Sequence, residues 1–233
     1  MQYDKIVQGE FISRPNRFIA EVKIDNEIER VHVKNTGRCK ELLIPGVNVY
    51  LEDHTDSTTR KTKYSLITVE KSNTLINMDS QVPNKVVYDA LIDNKIEGLT
   101  DLDLVKREVT YKSSRFDIYF EKGDRKGFIE VKGVTLENNG LAQFPDAPTT
   151  RGLKHIGELV DAKNNGYEAY IFFLIQMEGI DNFKLNWITD PDFSKGILEA
   201  EINGVNVSVY DSKVKIDSIE INNNIPYDLT DYR

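Results

Sequence analysis

Residues 168–176 read EAYIFFLIQ, a nearly continuous apolar stretch in a chain of 233 residues. It is too short to cross a bilayer, which takes about 20 apolar residues. Such a stretch reads as a strand buried on both faces, the kind found in sheets with helices laid over them. The flanking sequence supplies those helices. Residues 149–164 carry helical spacing and end at Asn165-Gly166, a C-cap signal, and a further helix is expected over 191–200. Upstream, Pro83 opens a helix expected over 83–93, with Val86, Val87, Ala90 and Leu91 at helical spacing. Between these helices lie strand candidates at 104–111, 115–121 and 127–133, joined by connections short enough for hairpins. A strand at 205–210 completes the chain. The order is helix, three antiparallel strands, helix, strand.

The first eighty residues differ in texture. Short runs with partial alternation fall at 3–12, 17–24, 29–34, 47–52 and 64–69, separated by Arg14-Pro15-Asn16, Asp25-Asn26 and Pro45-Gly46. The insert at 36–43 has room for one or two helical turns. Five strands with a helical insert after the third suggest a small barrel of the OB type, a simple β-sandwich being the alternative. Near Ser80–Asn84 the pattern changes, so the expected division is 1–80 and 81–233, and the fold class α/β (α+β).

Composition narrows the function. Hydrophobic residues at 39% and charged residues at 29% suit a globular chain, and the net charge is −8. That balance argues against tight nonspecific binding to nucleic acid, so an anionic partner must be met by local basic clusters. Residues 148–233 carry most of the acid excess. The single cysteine, Cys39, can form neither an internal disulfide nor a cysteine zinc site, and points to a reducing cytoplasm. The polar N-terminus does not read as a secretory signal, and no membrane partner is expected.

Asp117 and the triplet Glu130-Val131-Lys132 form the clearest chemical constellation. Residues two apart in a strand share a face, so Glu130 and Lys132 point together while Ile129 and Val131 face the other way. A neighbouring antiparallel strand brings Asp117 alongside. Two carboxylates that close repel unless a divalent cation lies between them, and Mg²⁺ commonly takes one or two carboxylates plus phosphate oxygens and water. A lysine beside them can stabilise charge on a phosphate. The alternative is a surface salt bridge between Glu130 and Lys132 with Asp117 solvated. Glu108, one strand earlier, is a candidate additional acid or an ordinary exposed charge. Arg151, His155 and Glu158 are spaced to share a helix face that suits phosphate contacts, or simply solvent. Two basic patches stand out upstream: Arg38 with Lys40, and Arg60, Lys61 and Lys63 beside Tyr64. Such patches suit a phosphate backbone with a stacked base, or are charged loops. His32 and His54 show no metal-ligand spacing, and Cys39 has no evident partner as a nucleophile.

The Asp, then Glu-X-Lys, pattern resembles the PD-(D/E)XK nucleases, with Phe116 where their motif has proline. That resemblance implies the Val131 carbonyl as a third metal ligand beside Asp117 and Glu130. Nearly end to end, the chain resembles the sugar fermentation stimulation protein A family. The carrying segments include Asn35-Thr36-Gly37-Arg38, Glu41 to Gly46, Arg60 to Tyr64, Pro83-Asn84, Ser114 to Asp117, Glu130 to Leu136, and Phe144 to His155. Cys39 stands where that family more usually has Met, and Met78 where Thr is more familiar. The resemblance implies an OB-like domain over 1–80 and a restriction-endonuclease-like αβββαβ domain over 81–233. It also implies DNA binding linked to regulation of sugar utilisation.

The expected function is a Mg²⁺- (or Mn²⁺-) dependent nuclease with Asp117, Glu130 and Lys132 as catalytic residues. Arg38, Lys40, Arg60, Lys61, Lys63, Arg151 and His155 would contact nucleic acid, most simply DNA. The alternative is a DNA-binding regulator that does not cleave. A sugar-metabolic enzyme finds neither a Gly-rich phosphate loop nor a redox motif to support it. The oligomeric state is open, a homodimer being one option.

Overall fold

The computed structural model describes residues 1–230 apart from Thr36 and Arg38. The first strands are β1 (Ile6–Asn16), β2 (Ile19–Ile24), β3 (Glu27–Val33), β4 (Asn48–Asp53) and β5 (Tyr64–Lys71). Antiparallel pairing gives the order β3-β2-β1-β4-β5, and a short parallel contact between β3 and β5 closes the barrel. Alternation supplies its core: Ala20, Val22 and Ile24 of β2 are buried, while the residues between them are not. The Asp25-Asn26 turn takes positive φ at both residues (48° and 71°), the twist that a tight hairpin needs.

One expectation here needs correction. The first strand does not stop at residue 12. It runs through Pro15, because register shifts on either side of Ser13 remove the need for a ladder N–H at the proline. The insert after β3 holds a single turn, in which the Leu43 N–H donates to the Cys39 carbonyl at 2.9 Å. Cys39 itself takes φ 45°, outside the helical region. Strand β6 (Thr74–Asn77), absent from the sequence reading, forms a hairpin with β5.

Then follow α1 (Val82–Ile92), β7 (Leu104–Tyr111), β8 (Ser114–Lys122), β9 (Arg125–Val134), β10 (Leu136–Asn138), β11 (Leu141–Phe144) and α2 (Thr150–Asn164). The chain continues through β12 (Glu168–Ile175), β13 (Asn182–Leu185), α3 (Pro191–Ile202), β14 (Asn206–Lys215), β15 (Ser218–Asn224) and β16 (Tyr227–Asp228). One six-stranded sheet has the order β15-β14-β12-β9-β8-β7, with β12 parallel to both β9 and β14. The apolar run is thus an inner strand, as expected. Phe172 and Leu174 pack with Val86, Val87 and Leu91 of α1, while Phe173 and Ile175 join Ile156 and Leu159 of α2 and Phe193 and Ile197 of α3. Residues 136–144, where the sequence reading placed no strand or helix, supply β10 and β11 to a small sheet of order β10-β11-β13-β16. Among the described residues no helix is long and apolar enough to cross a membrane.

The barrel and the sheet are joined by buried polar contacts and a shared core. The buried cluster containing Phe11 and Leu51 of the barrel is continuous with that containing Phe173 and Ile156. Gln176, 2% exposed, donates its amide to the carbonyl and side-chain oxygens of Asn77 and to the carbonyl of Asp79, each at 3.1 Å. At the chain's start, the Tyr3 N–H donates to the Asp217 carbonyl at 2.8 Å, and Gln2 bridges to Ser218.

Cys39 is buried, and burial together with Glu41 and Asp146 pushes its thiol up to about 12. The native protein is therefore expected to leave Cys39 unmodified by iodoacetamide at pH 8, since the thiolate is the reactive form. Denaturation should then release one reactive thiol. Fast alkylation of the folded protein would contradict the burial.

Candidate metal and phosphate site

The carboxylates meet where the sheet loses its regularity. Ladder pairing between β8 and β9 ends at Ile118–Ile129, and β7–β8 pairing skips Glu108 and Asp117. Phe116 and Ile118, two apart on one strand, pack into different clusters, as do Val109 and Val105 on the next. Both strands therefore reverse their faces at Glu108 and Asp117. Glu108 pays for the reversal with φ 57°, a left-handed conformation in mid-strand of the kind that concentrates at functional sites.

The freed Val131 N–H donates to Asp117 Oδ2 at 2.7 Å, and Asn84 Nδ2 of α1 donates to Oδ1 at 2.6 Å. Glu130, 3% exposed, accepts from Lys132 Nζ at 2.7 Å and contacts His155 Nδ1 at 2.5 Å, both through Oε1. Its other oxygen, Oε2, is buried with no hydrogen-bond partner. A buried carboxylate oxygen left bare is costly, so it marks a place for a cation or donor. Burial first, and the nearby Glu130 second, raise the Asp117 carboxyl to about 6, against the opposing pull of Val131 N–H, Lys132 and Asn84. These side chains line an open cavity of about 460 Å³, with Arg115, Thr149 and Arg151 at its other walls.

Asp117, Glu130 and Lys132 are thus together, and Glu108 lines the same cavity, paired with Arg115 at 3.5 Å. Arg151 is exposed in the first turn of α2, at the cavity wall. His155 is not on an open polar face with it, as helical spacing suggested. It is buried, and its hydrogen bond goes to Glu130. Glu158 turns elsewhere, accepting from Ser113 Oγ at 2.5 Å. Lys40, Arg60, Lys61 and Lys63 do not line this cavity: Arg60 donates to Ser65 Oγ and Lys63 pairs with Glu29. Arg38 lies outside the described residues. Asn84 escaped the sequence reading. Its position two residues before the apolar stripe of α1 was visible, but its partner across the sheet was not.

Among the described residues no group of three or more His, Cys, Asp or Glu side chains is arranged to hold a metal ion. The donor set is the two carboxylates of Asp117 and Glu130, which line one cavity. That set suits an oxygen-loving divalent ion that keeps most of its coordination for water and phosphate, and does not suit zinc. The bare Oε2 of Glu130 and the raised Asp117 both fit such an ion.

Residues 12–78 match the SfsA N-terminal OB domain, and residues 81–218 the Sugar fermentation stimulation protein RE domain. The sugar fermentation stimulation protein homolog of Alkaliphilus oremlandii is 53% identical over 232 residues, 98% of this chain and 99% of that protein. Its counterpart from Clostridium beijerinckii is 52% identical over 221 residues, 95% of this chain and 96% of that one. The solved structure of Pyrococcus furiosus SfsA in complex with Ca²⁺ superposes with a TM-score of 0.88 at 27% identity, covering 98% of each chain. Barrel, sheet and relatives agree over nearly the whole length, and the chain belongs to the sugar fermentation stimulation protein family.

Proposed function

We propose that this protein is a divalent-metal-dependent nuclease that hydrolyses phosphodiester bonds, most simply in DNA. The observation that carries the reading is the buried, partnerless Oε2 of Glu130 beside the raised Asp117 carboxyl, in a cavity walled by Lys132, Arg115 and Arg151. The Ca²⁺ in the Pyrococcus furiosus relative supports a divalent ion. Asp117, Glu130 and the Val131 carbonyl would hold Mg²⁺ or Mn²⁺. Once bound, that ion neutralises the carboxylate pair and polarises a phosphoryl oxygen. Lys132 places a positive charge where the pentavalent phosphorus centre gathers negative charge. Arg151 and Arg115, which both line the cavity, bind the flanking phosphates. His155 is a positioning residue: it holds Glu130 and touches no substrate. The basic loop of Arg60, Lys61 and Lys63, with Lys40, extends the nucleic-acid footprint over the barrel.

The test is cleavage of end-labelled single- and double-stranded DNA and RNA with Mg²⁺, Mn²⁺ or chelator. Cutting should require metal and fall about 100- to 1,000-fold in Asp117→Ala and Lys132→Ala. Undiminished cutting by Asp117→Ala would sink the assignment. A second reading, a DNA-binding regulator of sugar utilisation, is favoured by the donors already on Asp117, one to each oxygen, which compete with a metal for its lone pairs. Binding that persists in chelator, with no cutting under any metal, would establish it.

A further inference from the structure

We infer that the cavity between barrel and sheet is a nucleobase pocket, taking one unpaired base of the strand whose phosphate lies at Asp117 and Glu130. The placement of that phosphate rests on the nuclease reading above. The cavity holds about 510 Å³, within the range of about 300–1,000 Å³ typical of small-ligand sites. It adjoins the carboxylate cavity directly, since Ser80 and Thr149 line both. Strand β9 also passes from one to the other, with Lys132 in the first and Gly133 in the second. At about 3.3 Å per residue, Lys132 and Thr135 are about 10 Å apart along the chain, a step on the scale of one nucleotide.

The two cavities divide the chemistry of a nucleotide between them. The carboxylate cavity carries Lys132, Arg115 and Arg151 for phosphate. Among the described residues, the junction cavity has one of each charge, Arg17 and Asp146, and is otherwise lined by neutral polar and apolar groups. Its amides are held in place: Asn35 donates to the Met78 carbonyl and accepts from the Gly37 N–H, and Gln176 is fixed by its three bonds. Gln143 makes no side-chain hydrogen bond among the described residues, so its carboxamide offers a donor and an acceptor to a base edge. Phe144 is half-buried and backed by Phe173 and Phe193, at 5.6 and 5.4 Å between ring centres, which fixes a face for stacking. A sphere of this volume is about 10 Å across, whereas the major groove of a duplex alone is about 12 Å wide. A paired base cannot enter, so the strand must be single or the nucleotide flipped out.

The experiment measures anisotropy of labelled DNA and RNA oligonucleotides, single-stranded and annealed, in chelator and in Mg²⁺, with cleavage scored in the same samples. A single abasic position is walked along the strand. Single strands should bind at least about tenfold tighter than blunt duplexes, and one abasic position should cost about tenfold. Ala147→Trp, which fills the cavity, should make abasic and intact strands bind alike. Gln143→Ala, which deletes only an amide, should shrink the abasic penalty and serves where the tryptophan variant fails to fold. Comparison of DNA with RNA tells which strand supplies the base. Duplexes binding as tightly as single strands, no costly abasic position, or an abasic penalty unchanged in both folded variants would each overturn the pocket. Duplex cleavage unaffected by Ala147→Trp would overturn it while sparing the nuclease reading. A base effect without any metal-dependent cutting would support the pocket and sink the nuclease reading alone.

Discussion

Asp117→Asn is expected to stabilise the metal-free protein while abolishing cleavage. Burial, and after it Glu130, lift the folded-state Asp117 carboxyl to about 6 from the usual 3.8. A carboxyl raised on folding binds its proton more tightly in the native state, so this group costs nothing below about pH 4. Stability then drops as pH climbs from about 4 to about 6, and the full cost stays above that. The shift corresponds to about 1–3 kcal/mol. Asparagine cannot ionise, but it keeps one acceptor oxygen where Asp117 has two, against the donors of Asn84 and Val131. Losing one such bond costs about 1 kcal/mol, so the net gain at pH 8 is at most about 2 kcal/mol. Urea melts in chelator between pH 4 and 8 should show the wild type losing stability relative to the variant. Metal at about 100 times its Kd should return about 2.7 kcal/mol to the wild type and little to the variant. A variant less stable than wild type at pH 8 in chelator would contradict the argument, as would equal stabilisation of both by metal.

Gln176→Leu is expected to cost about 2–4 kcal/mol, although leucine has nearly the same volume. The side chain of Gln176 lies between the end of β12 and the end of β6 and satisfies oxygens of Asn77 and Asp79. Asn77 is 0% exposed, so water cannot replace the lost donor. The urea midpoint should fall with little change in slope, because the surface exposed on unfolding is unchanged. A shift below about 0.5 kcal/mol, the range of ordinary surface substitutions, would show that the bridge contributes little.

Much of this architecture was legible in the sequence because its signals are local. The run at 168–176, the Asn165-Gly166 stop and the Asp25-Asn26 turn each act within a few residues, and each is where the sequence put it. The carboxylates were legible for the same reason: Glu130 and Lys132 share a face by strand geometry alone. The rest depended on partners distant in the chain. Strands β10 and β11 are short and weakly patterned, and exist as strands because β13 pairs with β11. His155 looked solvent-facing from helical spacing, which cannot show that Glu130 lies opposite. Nor could alternation reveal the reversal at Glu108 and Asp117, since that reversal breaks the rule from which faces are read.

The stitch between Tyr3 and Asp217 has a consequence for synthesis on the ribosome. Tyr3 is made long before Asp217, yet its ring is buried among side chains of α1 and the large sheet, and its main-chain N–H is satisfied by the Asp217 carbonyl. At about 5–20 residues per second, roughly 10–40 s separate the two. Through that interval the nascent barrel carries an undocked aromatic just before β1. Closing so long a span also raises the contact order, which slows the final step. The newborn chain is therefore exposed to proteases and chaperones around Tyr3 until the segment carrying Asp217 emerges to cover it.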